Sequence, residues 1–384
     1  MWCLMKILTL NIWGAPYAKD RSERVAAIAD EVQVLDPDIV LFQEVYLPDN
    51  RDDLIERLVG IWEYYQYFPS GLVGSGLLTM SKFPIVDGAF HAFSMRGKPE
   101  DIRRGDYYAQ KGIALTRIET PAGMVDVYNS HTHAQYDPDN DNDYAVYTET
   151  NLYEAARFIE AQSGAGAVIL CGDLNTRPDQ AGYNIITTLG SLVDAYWHIH
   201  RRHDDTFAVS NPYVTSIDQC LDYVLVRNMS VTDIKIVMTE PLSGAAQAYS
   251  DHYGLLATVD FGGEHLKSYE SALREPLAAL YQRVTVALIE VEAAQYQGIE
   301  RAVLGLGGLV DFGLVTRFVG RFSPSLARFL RRMSVLGTLG YSLWQVVQVG
   351  VNLQTRRNTL RALRNELQKQ MESGRLFDGR ELSE

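Results

Sequence analysis

Short apolar runs bounded by Gly, Pro, Asp or Asn recur along the chain up to about residue 262. The runs are rich in β-branched and aromatic residues, which is typical of buried strands. They read KILTLNIW, DIVLFQEVY, GLLTMSKFPI, GIALTRIE, MVDVYNSH, AVILCGDLN, LDYVLVRN and YGLLATVDF. The fourth and fifth runs flank TPAG, and this spacing predicts a β-hairpin.

Helical patterns are fewer than strand patterns in this part of the chain. Apolar residues fall at helical spacing between the first two strands, at Val25, Ile28, Ala29 and Val32. A second helix is predicted at YEAARFIEAQ. Many strands with few intervening helices predict an α+β fold, in which two packed, mostly antiparallel sheets are flanked by helices.

The pattern changes after VDFGG, which predicts a division into residues 1–262 and a helical region at 263–384. A continuous helix is predicted from Glu264 to about Ile299. Its apolar positions are Leu266, Tyr269, Leu273, Leu277 and Leu280. Two apolar, Gly-rich segments follow at about 302–319 and 333–351, and a charged helix ends the chain.

Charge and cysteine content narrow the function classes. The net charge is −13, so the overall field repels polyanions, and no nucleic-acid partner is expected. Three cysteines at positions 3, 171 and 220 form neither a disulfide framework nor a zinc motif. The first ten residues are interpreted as a strand rather than a signal peptide. An intracellular protein is therefore predicted.

Polar residues recur where the apolar strands end. They are Asn11, Gln43, Glu44, His131, His133, Asp173 and Asn175, and Asp251 and His252 precede the last strand. Any one of these is more often a turn or cap residue. Five such ends in one chain instead suggest that the groups converge at one edge of the sheets.

These residue types match the requirements of Mg²⁺-assisted phosphoester hydrolysis. Mg²⁺ prefers hard oxygen ligands, which Glu44 and Asn11 offer. Water attack needs a base near neutral pKa, for which His252 is the candidate, oriented by Asp251 or another carboxylate. Asn175 and His131 are candidates to donate hydrogen bonds to the phosphoryl oxygens.

An ordered set of motifs carries a family resemblance. LTLNIWG, FQEVY, GSGLLTMSKFPI, NSHTHAQY, LCGDLN, LDYVLV and SDHYGL resemble the endonuclease/exonuclease/phosphatase, or DNase I-like, superfamily. GLVGSGLLTMSKFPI, the THA after His131 and GDYYAQKG are most similar to the neutral sphingomyelinases. The resemblance covers roughly residues 5 to 262, and the tail more loosely. It implies a four-layer α/β/β/α sandwich followed by a C-terminal helical region.

The resemblance also implies roles for individual residues. Glu44 is the implied principal Mg²⁺ ligand with Asn11 beside it, and Mn²⁺ is a candidate substitute. Asp173 and Asn175 would position the nucleophile and the phosphate, and Asp222 would support the site. The implied general base is His252, paired with Asp251, and His131 would stabilise the transition state.

Three features remain open at the sequence level. Asp106 and Lys111 form either a surface ion pair or, as the resemblance implies, a switch in which Lys111 meets the phosphate or is held off it. His133 is interpreted as structural in preference to catalytic. The segment from Asp204 to Cys220 is short compared with animal relatives, which leaves the headgroup pocket undetermined.

The tail has two interpretations. Residues 333–351 are uncharged, and such a helix spans about 28 Å at about 1.5 Å per residue, close to a hydrocarbon core of about 30 Å. Asp311 in the earlier segment would cost about 2.5–3.5 kcal/mol at the bilayer centre. The basic ARFLRR favours an anionic lipid surface. The alternative is a helical hairpin packed on the catalytic domain or on a second copy in a homo-oligomer.

The sequence therefore predicts an intracellular, membrane-associated, Mg²⁺-dependent phosphodiesterase of the phospholipase C type. Its predicted substrate is sphingomyelin or a related phospholipid, and its products are ceramide or diacylglycerol and phosphocholine. One alternative is a nuclease or a nucleotide or inositol phosphate phosphoesterase of the same fold. Another is a non-catalytic membrane scaffold.

Overall fold

The computed structural model describes residues 4–71, 73–98, 105–136, 144–244, 246–266, 273–319, 321 and 323–373. The strands are β1 (Leu4–Asn11), β2 (Ile39–Gln43), β3 (Tyr64–Tyr67), β4 (Leu78–Ser81), β5 (Ile85–Ala92), β6 (Gly112–Thr120), β7 (Gly123–His131), β8 (Val168–Asp173), β9 (Val193–Asp194), β10 (Asp222–Arg227), β11 (Ser230–Val237) and β12 (Gly254–Asp260). The helices are α1 (Arg21–Leu35), α2 (Pro48–Leu58), α3 (Asp106–Ala109), α4 (Ala145–Ser163), α5 (Ala181–Leu189), α6 (Ala195–His200), α7 (Arg274–Val319), α8 (Pro324–Val347) and α9 (Gln354–Ser373). A π-helical segment, Gln348–Leu353, joins α8 to α9.

The strands form two six-stranded sheets. The first has the order β11-β12-β1-β2-β4-β3, and the second has the order β5-β6-β7-β8-β10-β9. In each sheet one pair is parallel, β1 with β2 and β7 with β8, and the other named pairs are antiparallel. β6 and β7 pair from Gly112↔His131 to Thr120↔Gly123, so the predicted hairpin is confirmed.

Three hydrophobic clusters define four layers. One lies between the sheets and joins residues such as Ile7 and Leu41 of the first sheet to Val127 and Ile169 of the second. Another packs α1 and α2 on the outer face of the first sheet. A third packs α4 and α5 on the outer face of the second sheet. The α/β/β/α sandwich is thereby confirmed, and burial on both faces explains why its inner strands are continuously apolar.

The eight predicted runs correspond to the eight inner strands, whereas β3, β5, β9 and β11 were not predicted. These four are the edge strands of the two sheets. An edge strand has a hydrogen-bonded neighbour on one side only, so its side chains are more exposed and its sequence is more polar. β3 and β5, for example, contain no fully buried residue.

The chain forms two compact units, one comprising the chain up to Leu280 and one beginning at Tyr281. The prediction of a continuous helix from Glu264 is wrong at its start, because Glu264 to Leu266 are not helical and α7 begins at Arg274. Residues 267–272, including Tyr269, lie outside the described residues. Among the residues that the structure describes, no helix is both long and apolar enough to cross a membrane.

Candidate active site

The topology brings six strand ends to one edge of the sandwich. β1 and β2 are parallel, so Asn11 and Glu44 lie at adjacent carboxyl ends. β12 runs antiparallel to β1, which places His252, just before β12, at the same edge. The second sheet repeats this plan, with His131 paired to Asp173 and Asp173 paired to Asp222.

Asn11 and Glu44 meet at the end of the first sheet. The Asn11 Nδ2 group donates to Glu44 Oε1 at 3.3 Å and to Asp173 Oδ2 at 3.0 Å, which links the two sheets. Glu44 has a left-handed backbone with φ of 61°. A Cβ on Gly14 would lie 2.1 Å from the Glu44 carbonyl oxygen, so only glycine allows this close approach.

Asp173 contacts a histidine from each of the two sheets. Its Oδ2 atom lies 3.4 Å from His131 Nε2 and 3.7 Å from His252 Nε2. Its Oδ1 atom accepts a hydrogen bond from the backbone N–H of Asn175 at 3.0 Å. Burial raises the pKa of Asp173, but the two histidines outweigh burial and hold this pKa below its usual range. Asp173 is therefore anionic.

His252 is oriented by Asp222. Its Nδ1 group donates to Asp222 Oδ2 at 2.8 Å, and its ring lies 5.1 Å from that of Phe207. Burial lowers the pKa of His252, but the charges of Asp222 and Asp173 outweigh burial and raise it well above 6.5.

The predicted pairing of His252 with Asp251 is wrong. Asp251 Oδ1 instead accepts a hydrogen bond from Ser250 Oγ at 3.2 Å. Burial of the carboxyl group, with a contribution from Glu44, raises the pKa of Asp251 to about 7, although His252 lowers it. Asp251 and His252 lie in the bend that precedes β12, and their side chains hydrogen-bond to different partners, Ser250 and Asp222.

Asp106 and Lys111 form a buried ion pair beside this cluster. Lys111 Nζ lies 2.5 Å from Asp106 Oδ1 and donates to the Thr132 carbonyl at 2.9 Å. The same carbonyl accepts from Asn175 Nδ2 at 3.2 Å. Burial raises the pKa of Asp106, but Lys111 outweighs it and the pKa falls to about 2. The interpretation as an exposed surface pair is wrong, since both side chains are buried.

His133 lies among aromatic rings rather than in the cluster. Its ring stacks on those of Tyr144 and Tyr147, at 5.3 and 4.9 Å. Its Nδ1 atom lies 2.7 Å from the Ala134 carbonyl, and burial lowers its pKa. These contacts agree with a structural histidine.

The donor set suits a divalent cation. Glu44 Oε1 lies 4.0 Å from His131 Nε2, and none of the described lysines or arginines forms an ion pair with Glu44. The Asn11 amide oxygen accepts from the Trp13 N–H at 3.0 Å, while the amide nitrogen faces the carboxylates of Glu44 and Asp173. Rotation of the amide by 180° would exchange the two atoms and direct the oxygen toward these carboxylates. Asp173, Asp222 and His252 also offer ligand atoms within 4.8 Å of one another. The site thus contains an acidic and histidine cluster able to hold a metal ion.

Sequence reasoning missed several residues of the site. Thr206 donates to Asp222 Oδ2 at 2.6 Å, and no pattern in its segment indicates this. Arg24 is buried on α1 and donates to the carbonyls of Ile12, Trp13, Lys19 and Tyr249. The Tyr46 hydroxyl lies 3.5 Å from His131 Nδ1. Its place in FQEVY, two residues after Glu44, could have identified it as a site residue.

The chain is similar to proteins that are named as sphingolipid phosphodiesterases. It is 32% identical over 294 residues to a Drosophila melanogaster protein provisionally named a neutral sphingomyelinase, covering 72% of this chain and 64% of the relative. It is 28% identical over 304 residues to the inositol phosphosphingolipids phospholipase C of Saccharomyces cerevisiae, covering 67% of this chain and 64% of the relative. The chain thus spans slightly less than two thirds of the length of each relative.

The fold is also similar to that of a solved structure. A double mutant of Staphylococcus aureus beta toxin with bound magnesium ions superposes with a TM-score of 0.51 at 16% identity, covering 66% of this chain and 98% of that one. This likeness concerns the fold alone. A family model described as the endonuclease/exonuclease/phosphatase family matches residues 8–252. This range includes all the site residues, from Asn11 to His252. The chain therefore belongs to the endonuclease/exonuclease/phosphatase family.

Proposed function

We propose that the protein is a Mg²⁺-dependent phosphodiesterase that hydrolyses sphingomyelin or a related sphingophospholipid in the manner of a phospholipase C. The observation that carries this proposal is that Asp173 connects the ends of the two sheets. Its carboxylate contacts Asn11 at 3.0 Å, His131 at 3.4 Å and His252 at 3.7 Å. An acid, an amide and two imidazoles meet there, and a metal-assisted attack on a phosphodiester uses these groups.

The proposal assigns a step to each group. His252, held by Asp222, accepts the proton of the attacking water through Nε2, which lies on the Asp173 side of the ring. His131 donates to a phosphoryl oxygen as negative charge develops on it. Glu44 and Asn11 would hold Mg²⁺. When bound, this ion would polarise the phosphate and offset its charge.

The remaining residues position these groups. Asp173 and Asn175 place the nucleophile and the phosphate, and Lys111 is an additional phosphate donor when released from Asp106. Asp251, with a pKa of about 7, serves as a neighbouring acidic group rather than as the partner of His252.

The relatives favour a sphingolipid substrate. The names of the two relatives differ in headgroup, one referring to sphingomyelin and the other to inositol phosphosphingolipids. What these names share is a phosphodiester attached to a sphingoid base. We therefore propose that the ceramide phosphodiester is the recognised unit. With sphingomyelin as the substrate, the released headgroup is phosphocholine.

The second part of the proposal assigns residues 1–262 to catalysis and 263–384 to attachment at a lipid surface. α8 and the π-helical segment carry an exposed apolar stripe at helical spacing, formed by Leu326, Phe329, Met333, Leu336, Trp344, Val347 and Val351. Arg328 and Arg332 are exposed near the start of α8. An apolar stripe flanked by arginines is typical of a helix that lies in the headgroup region of an anionic bilayer. Association of two copies through this stripe is the alternative.

Product analysis tests the reaction. The full chain with MgCl₂ is incubated with sphingomyelin, phosphatidylcholine, an inositol phosphosphingolipid and plasmid DNA, and the products are identified by mass spectrometry. We expect ceramide and phosphocholine from sphingomyelin, with His252→Ala as the inactive control. Nicked plasmid that disappears with His252→Ala, together with intact sphingomyelin, would favour the nuclease alternative.

A further inference from the structure

Thr206 makes five hydrogen bonds with described residues, four of which link it to Asp222 or to a residue next to Asp222 or His252. Its hydroxyl donates to Asp222 Oδ2 at 2.6 Å and accepts from the N–H groups of Leu221 and Asp222 at 3.2 and 3.1 Å. Its carbonyl accepts from the N–H of Tyr253 at 2.7 Å. Thr206 is 1% exposed, so these bonds are shielded from water.

The Thr206 hydroxyl and the His252 imidazole bind the same carboxylate oxygen of Asp222. Asp222 Oδ2 receives both the Thr206 hydroxyl and His252 Nδ1, at 2.6 and 2.8 Å. The other oxygen, Oδ1, is buried and has no hydrogen-bond partner among the described atoms. Without the Thr206 hydroxyl, the hydrogen bond to His252 would be the one described bond of the Asp222 carboxylate. The carboxylate could then rotate about its Cβ–Cγ bond.

The same segment also places an aromatic ring beside the imidazole. Thr206 and Phe207 both donate to the Gln219 carbonyl, at 3.0 and 2.9 Å, and Gln219 donates back to Phe207 at 2.7 Å. This bridge closes the loop of residues 208–218 and sets the Phe207 ring 5.1 Å from that of His252.

We propose that Thr206 is a positioning residue, which holds the Asp222 carboxylate in the orientation that aligns His252 for proton transfer. The inference rests on the proposed function, since it concerns the same imidazole. It also assigns the base of the 208–218 loop a role in catalysis, because the segment that closes this loop carries both Thr206 and Phe207.

The test compares two substitutions of Thr206. Thr206→Val removes the hydroxyl at nearly constant volume, and Thr206→Ser keeps it. We expect kcat on detergent-dispersed sphingomyelin to fall about 10- to 100-fold in the valine variant with KM within about twofold, since outer partners of an oriented imidazole are typically worth this much. The serine variant should recover most of kcat. Thr116→Val, which removes a buried hydroxyl without a hydrogen-bond partner in the described structure, is the matched control.

An NMR measurement on the full chain gives a readout besides activity. The Nδ1 proton of His252, bonded to a carboxylate, should give a downfield resonance in the parent and in Thr206→Ser, and this resonance should shift or exchange with solvent in Thr206→Val. In an Asp222→Asn background the valine substitution should change kcat by less than about twofold, because the partner it orients is already altered. If the valine variant does not fold, Thr206→Ala is measured in the same way.

The outcomes separate this inference from the proposed function. A parent protein without phosphodiesterase activity would overturn the proposed function, and the resonance would still test the positioning. An active parent whose Thr206→Val variant keeps both kcat and the His252 resonance would overturn the positioning role. A fall in kcat that Thr206→Ser does not recover would also overturn it.

Discussion

His252 and Asp222 form the hydrogen bond that orients the candidate base, at 2.8 Å from Nδ1 to Oδ2. Asp251, although adjacent to His252 in the sequence, bonds Ser250 instead. The carboxylate that holds the imidazole therefore comes from the second sheet, and the imidazole comes from the first. The packing of the two sheets is what assembles the pair.

Substitution of the two aspartates should have unequal effects. Asp222→Asn should lower kcat about 10²- to 10⁴-fold, because an amide can donate to Nδ1 and so favour the wrong tautomer. Asp251→Asn should lower it by less than about tenfold, because this carboxyl is partly protonated near neutral pH. Steady-state kinetics on detergent-dispersed sphingomyelin measure both. Equal losses would contradict the pairing with Asp222.

The rate should depend on pH through the raised pKa of His252. A general base acts in its neutral form, so kcat/KM should rise with pH and level off only above the raised pKa, well above 6.5. Asp222→Asn removes a negative charge that raises this pKa, so its acidic limb should move to lower pH. A pH–rate profile from pH 5 to 9 checks both. An acidic limb centred below 6.5 in the parent would exclude His252 as the titrating base.

Much of the fold and of this site was predictable from the sequence. The eight inner strands were found because burial on both faces gives each an apolar run. The polar residues that end these runs, such as Asn11, Glu44 and Asp173, converge because parallel and antiparallel pairing bring their ends to one edge. The edge strands β3, β5, β9 and β11 were missed because partial exposure weakens their pattern.

The partners of the site residues were less predictable than the residues themselves. Thr206 meets Asp222 from 16 positions away, and no periodicity marks such a contact. The residue types left the partner of His252 as Asp251 or another carboxylate, and the family resemblance favoured Asp251, whereas the hydrogen-bonded carboxylate is that of Asp222. Contacts across sheets depend on register and packing, and a single sequence specifies these only through the whole fold.

Glu44→Gln should weaken activation by Mg²⁺ more than it weakens folding. The amide keeps the shape of the side chain but lacks the charge that a hard cation prefers. We expect the MgCl₂ concentration for half-maximal activity to rise about tenfold or more, with little change in the thermal melt measured with a chelator present. Glu23→Gln, at the surface of α1, is the control. An unchanged activation curve would exclude Glu44 as the metal ligand.

The Asp106–Lys111 pair should contribute stability that acid removes. Lys111→Met leaves Asp106 buried without its cation, which should cost about 3–5 kcal/mol in urea unfolding at pH 7. Adding Asp106→Asn should restore part of this loss. The pKa of Asp106 is lowered to about 2, so the parent's advantage over the double variant should hold above about pH 4 and disappear as the pH falls toward 2. An advantage independent of pH would contradict this account.

The proposed attachment to a lipid surface assigns the exposed stripe of α8 to the contact with the bilayer. Phe329 and Leu336 are 60% and 65% exposed, and burying each in a headgroup region would contribute about 1.5–3 kcal/mol. Phe329→Gln with Leu336→Gln should therefore weaken sedimentation with anionic sphingomyelin vesicles by about 10²-fold or more and lower activity on them. Activity on detergent-dispersed substrate should stay within about twofold.

Val34→Gln, which replaces a 76% exposed residue of α1, is the matched control and should leave vesicle binding unchanged. Analytical ultracentrifugation of the parent and the α8 variant distinguishes the alternative. If the parent is a dimer that the two substitutions dissociate while vesicle binding persists, the stripe joins copies of the chain rather than a bilayer. Loss of vesicle binding at unchanged mass would assign the stripe to the lipid surface, because only the encounter with the bilayer would then have changed.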